Sequence, residues 1–217
     1  AFVVHTDDGS IRLVSTRDGR NLPGGATLPD LANKADGYLH FSWCGRYAAQ
    51  WCRGEVVCWR LQPWAELWRL RRPEASAIGS IGLSADGSLV WGYCEDRILR
   101  YWDTESGKEI AARPVPKKVD VLNLTEAGHA FVDENKRFGL LDVRGRGRMS
   151  WSPLPSVARF YSSMASASPD GTKLAVVPNS GPEGQILLID LQASKIVSSQ
   201  AIDGYQQVHG WLPDCSR

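Results

Sequence analysis

A unit that recurs about every 43 residues limits what this chain can fold into more than any other feature. The clearest copies are Leu83-Ser84-Ala85-Asp86-Gly87-Ser88-Leu89-Val90 and Ala167-Ser168-Pro169-Asp170-Gly171-Thr172-Lys173-Leu174. Each is a tight Asp-Gly turn between two apolar runs. The turn recurs at Cys44-Gly45-Arg46, Ala127-Gly128-His129 and Pro213-Asp214-Cys215, so that Gly45, Gly87, Gly128, Gly171 and Cys215 stand 42, 41, 43 and 44 residues apart. Self-similarity at a fixed period of this length marks a repeat architecture.

Each unit reads as four short strands, a to d. In the third unit, Ile78 to Ser84 is strand a and Asp86-Gly87 the a–b turn. Leu89 to Cys94 is strand b, Ile98 to Asp103 strand c, and strand d lies near Ile110. β-Branched, aromatic and Cys residues fill the strands, while Asp, Gly and Ser fill the breaks. The second unit predicts strands at Tyr38 to Trp43, Tyr47 to Cys52, Val56 to Leu61 and Glu66 to Leu70. The fourth predicts Val119 to Leu124, Ala130 to Asp133, Phe138 to Val143 and Met149 to Ser152, with Gly128-His129 in the a–b turn. The fifth predicts Phe160 to Ala165, Leu174 to Val177, Ile186 to Leu191 and Ile196 to Ala201. No stretch shows helical periodicity with caps. The expectation is an all-β chain, a β-propeller of four-stranded antiparallel blades, about five in number. It forms one domain over 1–217, with units at 206–217 plus 1–30, 38–72, 78–113, 119–155 and 158–203.

The two ends complement each other. The chain opens in strand b, Phe2 to Val4, followed by strand c, Ile11 to Val14. It closes in strand a, Gln206 to Trp211. Leu212-Pro213-Asp214-Cys215-Ser216-Arg217 continued into Ala1-Phe2-Val3-Val4 aligns with Ser168 to Val177. The C-terminal strand is therefore expected to pair with the N-terminal unit and close a five-bladed ring without a free blade edge. The alternative is a fragment of a larger propeller.

Bulk properties narrow the function classes. A net charge of +1 gives no long-range field toward nucleic acid or an anionic membrane. No apolar run reaches the roughly 18 residues that a bilayer crossing needs, and no basic n-region precedes an apolar h-region, so no signal peptide is expected in the residues given. The five cysteines, Cys44, Cys52, Cys58, Cys94 and Cys215, are odd in number and fall on or beside apolar strand segments. There they read as reduced thiols in a cytoplasmic protein. Their spacing contains no CxxC pair, so no metal site is expected.

The residues Asp86-Gly87 before strand b, Asp96 in the b–c turn, Trp102-Asp103 ending strand c and Ser106-Gly107-Lys108 after it resemble the WD-repeat β-propeller family. Thr16-Arg17-Asp18-Gly19-Arg20 matches Thr104-Glu105-Ser106-Gly107-Lys108. The resemblance covers the whole chain. Only one unit carries a Trp-Asp pair, and Gly128-His129 lies one strand later than the family's Gly-His motif belongs. The chain is also similar to Ser-Pro-Asp-Gly propellers of bacterial binding proteins and of prolyl oligopeptidase-like enzymes.

None of the four histidines, His5, His40, His129 and His209, sits in a nucleophile elbow or a zinc-binding helix motif. They read as structural, and the chain as a non-enzyme without a cofactor. Asp86, Gly87, Asp96, Trp102, Asp103, Asp170 and Gly171 read as structural too. Trp64 and Trp68 flank a turn at Pro63 and are candidates for a partner contact, since Trp is a frequent interface anchor. The b–c loops offer Asp7, Arg53, Glu55, Glu95, Arg97, Glu134, Lys136 and Arg137. The Arg144, Arg146 and Arg148 turn reads as solvated, and residues 178–184 lengthen one b–c loop. The expected function is a non-catalytic interaction or sensor module that binds a protein or peptide through its loop face, beside other domains of a parent chain. The competing class is the accessory propeller of a hydrolase or peptidase.

Overall fold

The computed structural model describes residues 2–5, 10–14, 20, 26–27, 39–42, 44–52, 54–71, 78–135, 137–143, 149–155, 165–178 and 185–201. These residues contain no helix and form five antiparallel sheets. The first sheet has three strands, β1 (Phe2–His5), β2 (Ser10–Val14) and β3 (Ala26–Thr27). The second holds β4 (Leu39–Phe41), β5 (Tyr47–Cys52), β6 (Glu55–Leu61) and β7 (Trp64–Arg71). The third holds β8 (Ile78–Leu83), β9 (Leu89–Cys94), β10 (Ile98–Asp103) and β11 (Glu109–Pro114). The fourth holds β12 (Val119–Thr125), β13 (Gly128–Asp133), β14 (Arg137–Leu141) and β15 (Met149–Pro153). The fifth holds β16 (Ala165–Ala167), β17 (Lys173–Val176), β18 (Gln185–Asp190) and β19 (Lys195–Ala201). Strands pair in chain order in every sheet, as successive hairpins require. The chain divides into two compact units, Ala1–Pro114 and Val115–Arg217.

In the first unit, side-chain alternation splits the second sheet into two faces. Ala48, Val57, Trp59 and Leu61 pack with Leu39, Phe41 and Trp64 on one face. Tyr47, Ala49, Val56 and Cys58 pack on the other against Ile78, Ile81, Leu83, Val90, Cys94 and Trp102 of the third sheet. Trp59 and Cys58 thus lie on opposite faces, as the period of two demands. In the second unit, Leu122, Ala130, Val132 and Phe138 of the fourth sheet meet Leu174, Val176, Leu187 and Ile189 of the fifth.

The a–b turns set the register. In the third sheet, Asp86 Oδ1 accepts from the Ser84 hydroxyl at 2.6 Å and from Ser88 N–H at 2.9 Å. In the fifth, Asp170 Oδ1 accepts from the Ser168 hydroxyl at 2.6 Å and Thr172 N–H at 3.0 Å. Gly87 and Gly171 follow at φ +74° and +71°, the left-handed region where a Cβ is penalised.

Several expectations shift. Gly128 and His129 belong to β13, not to a turn. The connection shortens to Glu126 and Ala127, Thr125 pairs directly with Gly128, and the Thr125 hydroxyl donates to the Gly128 carbonyl at 2.7 Å. Gly is required there because a Cβ would lie 2.4 Å from the Leu141 carbonyl oxygen. Trp64 and Trp68 are both inside β7 rather than flanking a turn; Gln62 and Pro63 alone make the connection. β14 ends at Leu141, two residues before the expected Val143. β16 extends past the expected end at Ala165 to Ala167, because the Ser168–Asp170 turn fixes where pairing with β17 stops. The strand β3 had no sequence signal. The closing strand at Gln206 to Trp211 and the Phe160 end of the fifth strand a lie outside the described residues.

Candidate interaction surface

In the second, third and fourth sheets, taken one at a time, charged side chains lie beside the b–c turn. In the third sheet, Asp96 Oδ1 caps Ile98 N–H at 2.9 Å, while Asp96 Oδ2 pairs with Arg100 Nη2 at 2.7 Å. That pairing raises the Arg100 pKa. Arg97 takes the left-handed position, φ +60°, costly for a residue with a Cβ. Glu95 is exposed at the tip. In the second sheet, Glu55 sits beside the turn and accepts from Arg69 Nη1 at 2.8 Å; Arg71 approaches to 4.0 Å. Arg69 also holds Glu66 at 2.9 Å. The candidate Glu55 is thus engaged in a charge network across β6 and β7.

The fourth sheet repeats the design. Asp133, nearly buried, accepts from Arg137 N–H at 2.8 Å and from Arg137 Nη2 at 2.7 Å. Burial raises the Asp133 pKa, but these Arg137 bonds outweigh it and leave the carboxyl below its usual range. The Arg137 guanidinium lies 5.1 Å from the Trp151 ring centre. Glu134 pairs with Lys118 at 3.0 Å, both well exposed. Asp7, Arg53 and Lys136 lie outside the described residues.

Trp64 and Trp68 have intramolecular duties. Trp64 lies over Trp59 with ring centres 6.4 Å apart and planes 26° from parallel. Trp68 donates from Nε1 to the Thr104 carbonyl at 2.7 Å. Around that bond lies a joint that sequence reasoning missed. Glu105 accepts from the Tyr47 hydroxyl and pairs with Arg60 Nη2 at 2.6 Å. The Tyr47 bond first, then Arg60, draws the Glu105 carboxyl below its usual range. Gly107, φ +68°, lets the turn pass under the Trp68 ring; a Cβ would lie 2.7 Å from Trp68 Cγ. Trp102 is 1% exposed in the third-sheet core, and Asp103 accepts from Ser106 N–H at 2.8 Å. In the second unit, Asn123 clamps Ala167 both ways. Its Nδ2 donates to the Ala167 carbonyl at 2.9 Å and its Oδ1 accepts from Ala167 N–H at 2.8 Å. An Asn in the middle of a strand a was the available signal.

Among the described residues, no three His, Cys, Asp or Glu side chains converge as a metal site. His129 is wholly buried, and desolvation lowers its pKa to about 3, so it stays neutral and out of reach of a substrate. Burial lowers the His40 pKa as well. No described helix is long and apolar enough to cross a membrane.

No family model and no curated protein sequence matches the chain. Solved structures do. The Cps50 (Swd1) β-propeller domain of Myceliophteria thermophila is similar at 20% identity and TM-score 0.53, over 76% of this chain and 54% of that one. A chain of the mitotic checkpoint complex is similar at 16% identity and TM-score 0.53, over 75% of this chain and 48% of that one. The dihydro-heme d1 dehydrogenase NirN, in complex with DHE, is similar at 18% identity and TM-score 0.58, over 93% and 44%. The fold is that of a β-propeller. The chain spans about half the length of the solved chains it matches.

Proposed function

We propose that this chain is a non-catalytic interaction module, a divergent WD-repeat-like propeller that binds a protein or peptide at the b–c end of its sheets, inside a reducing compartment. The observation that carries the reading is the division of labour at that end. Asp96 and Asp133 fix the turn backbones, with Arg100 and Arg137 held beside them. Glu95 and Glu134 are exposed on those turns, and Lys118, in the connection before β12, pairs with Glu134. Pre-organised charges bind with little ordering cost. The likeness in fold to a chain of the mitotic checkpoint complex supports the reading, and the half-length match supports a parent chain with further segments.

The test starts with a partner purified from the source cell on the immobilised chain, identified by mass spectrometry and then produced recombinantly. Glu95→Lys and Glu134→Lys, made separately, are expected to weaken binding of that partner about tenfold at unchanged Tm, a loss of about 1.4 kcal/mol. Glu126→Lys, at the a–b end, leaves it unchanged. Equal binding by all three variants overturns the assignment of the surface.

A further inference from the structure

The outer strand of the fifth sheet is an open edge among the described residues. β19 lies last in the order β16, β17, β18, β19, and all seven of its residues are exposed. Ile196 and Val197, each 43% exposed, are two of the three large apolar side chains exposed among the described residues. An edge strand offers a row of main-chain N–H and C=O groups to any strand that comes beside it. Proteins guard such rows with charges, prolines or short strands. The other four-stranded sheets carry these guards. β7 has Glu66, Arg69 and Arg71, with Arg69 holding Glu66 at 2.9 Å and Glu55 at 2.8 Å. β11 has Glu109 and Arg113 and ends at Pro114. β15 has five residues and ends at Pro153. β19 has seven residues and no proline, and its one charge is Lys195 at the first position. A bulge between strands c and d is common to the second, third and fifth sheets, so it does not set β19 apart.

We propose that β19 is a dimerisation edge. It pairs antiparallel with β19 of a second copy of this chain, and two fifth sheets become one eight-stranded sheet. Two-fold pairing about Ser198 engages all seven residues of each strand, and the same main-chain groups serve both copies. The charge pattern selects this occupant. The two-fold sets Lys195 opposite Ala201 of the second copy and holds the two lysines at opposite ends of the ladder, about 20 Å apart. No like charges then face each other across the strands. Ile196 lies opposite Gln200 and Val197 opposite Ser199, so both apolar side chains lose exposed area to the added strand. The surface does not use the b–c turns of the proposed interaction module. One pair of edge strands buries less than the roughly 1,200 Å² of a standard interface, so the dimer is weak and depends on concentration.

Sedimentation velocity of the full chain tests the edge. The mass is expected to rise from monomer toward dimer between about 1 and 300 μM. A monomer at every concentration leaves the edge to a strand of another protein and overturns the proposal. Ser198→Lys sets two lysines face to face across the two-fold. It is expected to raise the dissociation constant about fivefold, with the Tm of the dilute protein unchanged. Ser198→Asp has the same effect alone, and an equimolar mixture of the two variants associates at least as tightly as the parent. Glu109→Lys, on the outer strand β11, leaves the constant unchanged. A dimer indifferent to Ser198→Lys, a mixture that associates no better than either variant, or equal weakening by Glu109→Lys overturns the assignment to β19.

Discussion

The indole Nε1 of Trp68 donates to the carbonyl of Thr104 at 2.7 Å, across 36 residues of sequence. That bond ties the outer strand of the second sheet to the turn after β10. Replacing Trp68 with Phe removes the donor and is expected to cost about 1 kcal/mol. Trp68→Ala also removes the ring that covers Gly107 and is expected to cost about 3 kcal/mol. Urea unfolding of the two variants checks both the order and the size.

Acid should loosen the same joint. The Glu105 carboxyl is held below its usual range by Tyr47 and Arg60, so its folded pKa is below its unfolded one. Its contribution is present above the unfolded pKa and is lost as pH falls through the folded pKa. Glu105→Gln is expected to flatten the decline of Tm on the acid side of about pH 4.5, with the parent unchanged in relative order near neutrality. An identical acid slope in both proteins counts against the joint. The Tyr47 hydroxyl is shifted the other way, first by its bond to Glu105. Its contribution is full below the unfolded pKa and fades as pH rises through the folded pKa.

Turn glycines at similar φ should differ in tolerance. At Gly45, φ +67°, a Cβ meets nothing within 4 Å. Gly45→Ala should therefore cost only the backbone term, about 1 kcal/mol. At Gly87, φ +74°, a Cβ would lie 2.8 Å from Cys44 Sγ and 2.8 Å from Tyr47 Cδ2. Gly87→Ala should be the more damaging of the pair in thermal melts, and the reverse order would refute the packing described.

Asn123 serves both a donor and an acceptor of Ala167. Asn123→Ala strands both backbone groups and is expected to cost about 2–3 kcal/mol, whereas Asn123→Asp keeps the acceptor and loses the donor. Hydrogen exchange at the Ala167 amide should speed up in Asn123→Ala more than in Asn123→Asp.

The thiols should react in a fixed order. Cys44 is exposed; partial burial raises its pKa, but the Ser42 hydroxyl and Arg46 outweigh that and leave it lowered. Cys58 is buried, and desolvation pushes its pKa up to about 12. Brief alkylation of the folded protein at pH 7.5 should modify Cys44 well before Cys58 or Cys94, with the latter two released by denaturant. Mass spectrometry of tryptic peptides reads the order.

The sequence alone determined the period, the hairpin order and most strand positions. Those features are local. Alternation at i and i+2 decides a strand's faces, and Ser84-Asp86-Gly87 or Ser168-Asp170-Gly171 closes a turn from within six residues. β5, β9 and β10 therefore match their expected bounds. The candidate surface was legible only as a set of loops, because a charge in a loop does not state its partner. Arg137 pairs with Asp133 and lies over Trp151, Glu55 is drawn into the Arg69 network, and the half-buried Trp68 also bonds Thr104. Tertiary structure alone decided those outcomes. Glu105 meets Tyr47 and Arg60 across 58 and 45 residues, and Asn123 meets Ala167 across 44. Such contacts depend on how one sheet packs on the next, which no short window of sequence contains.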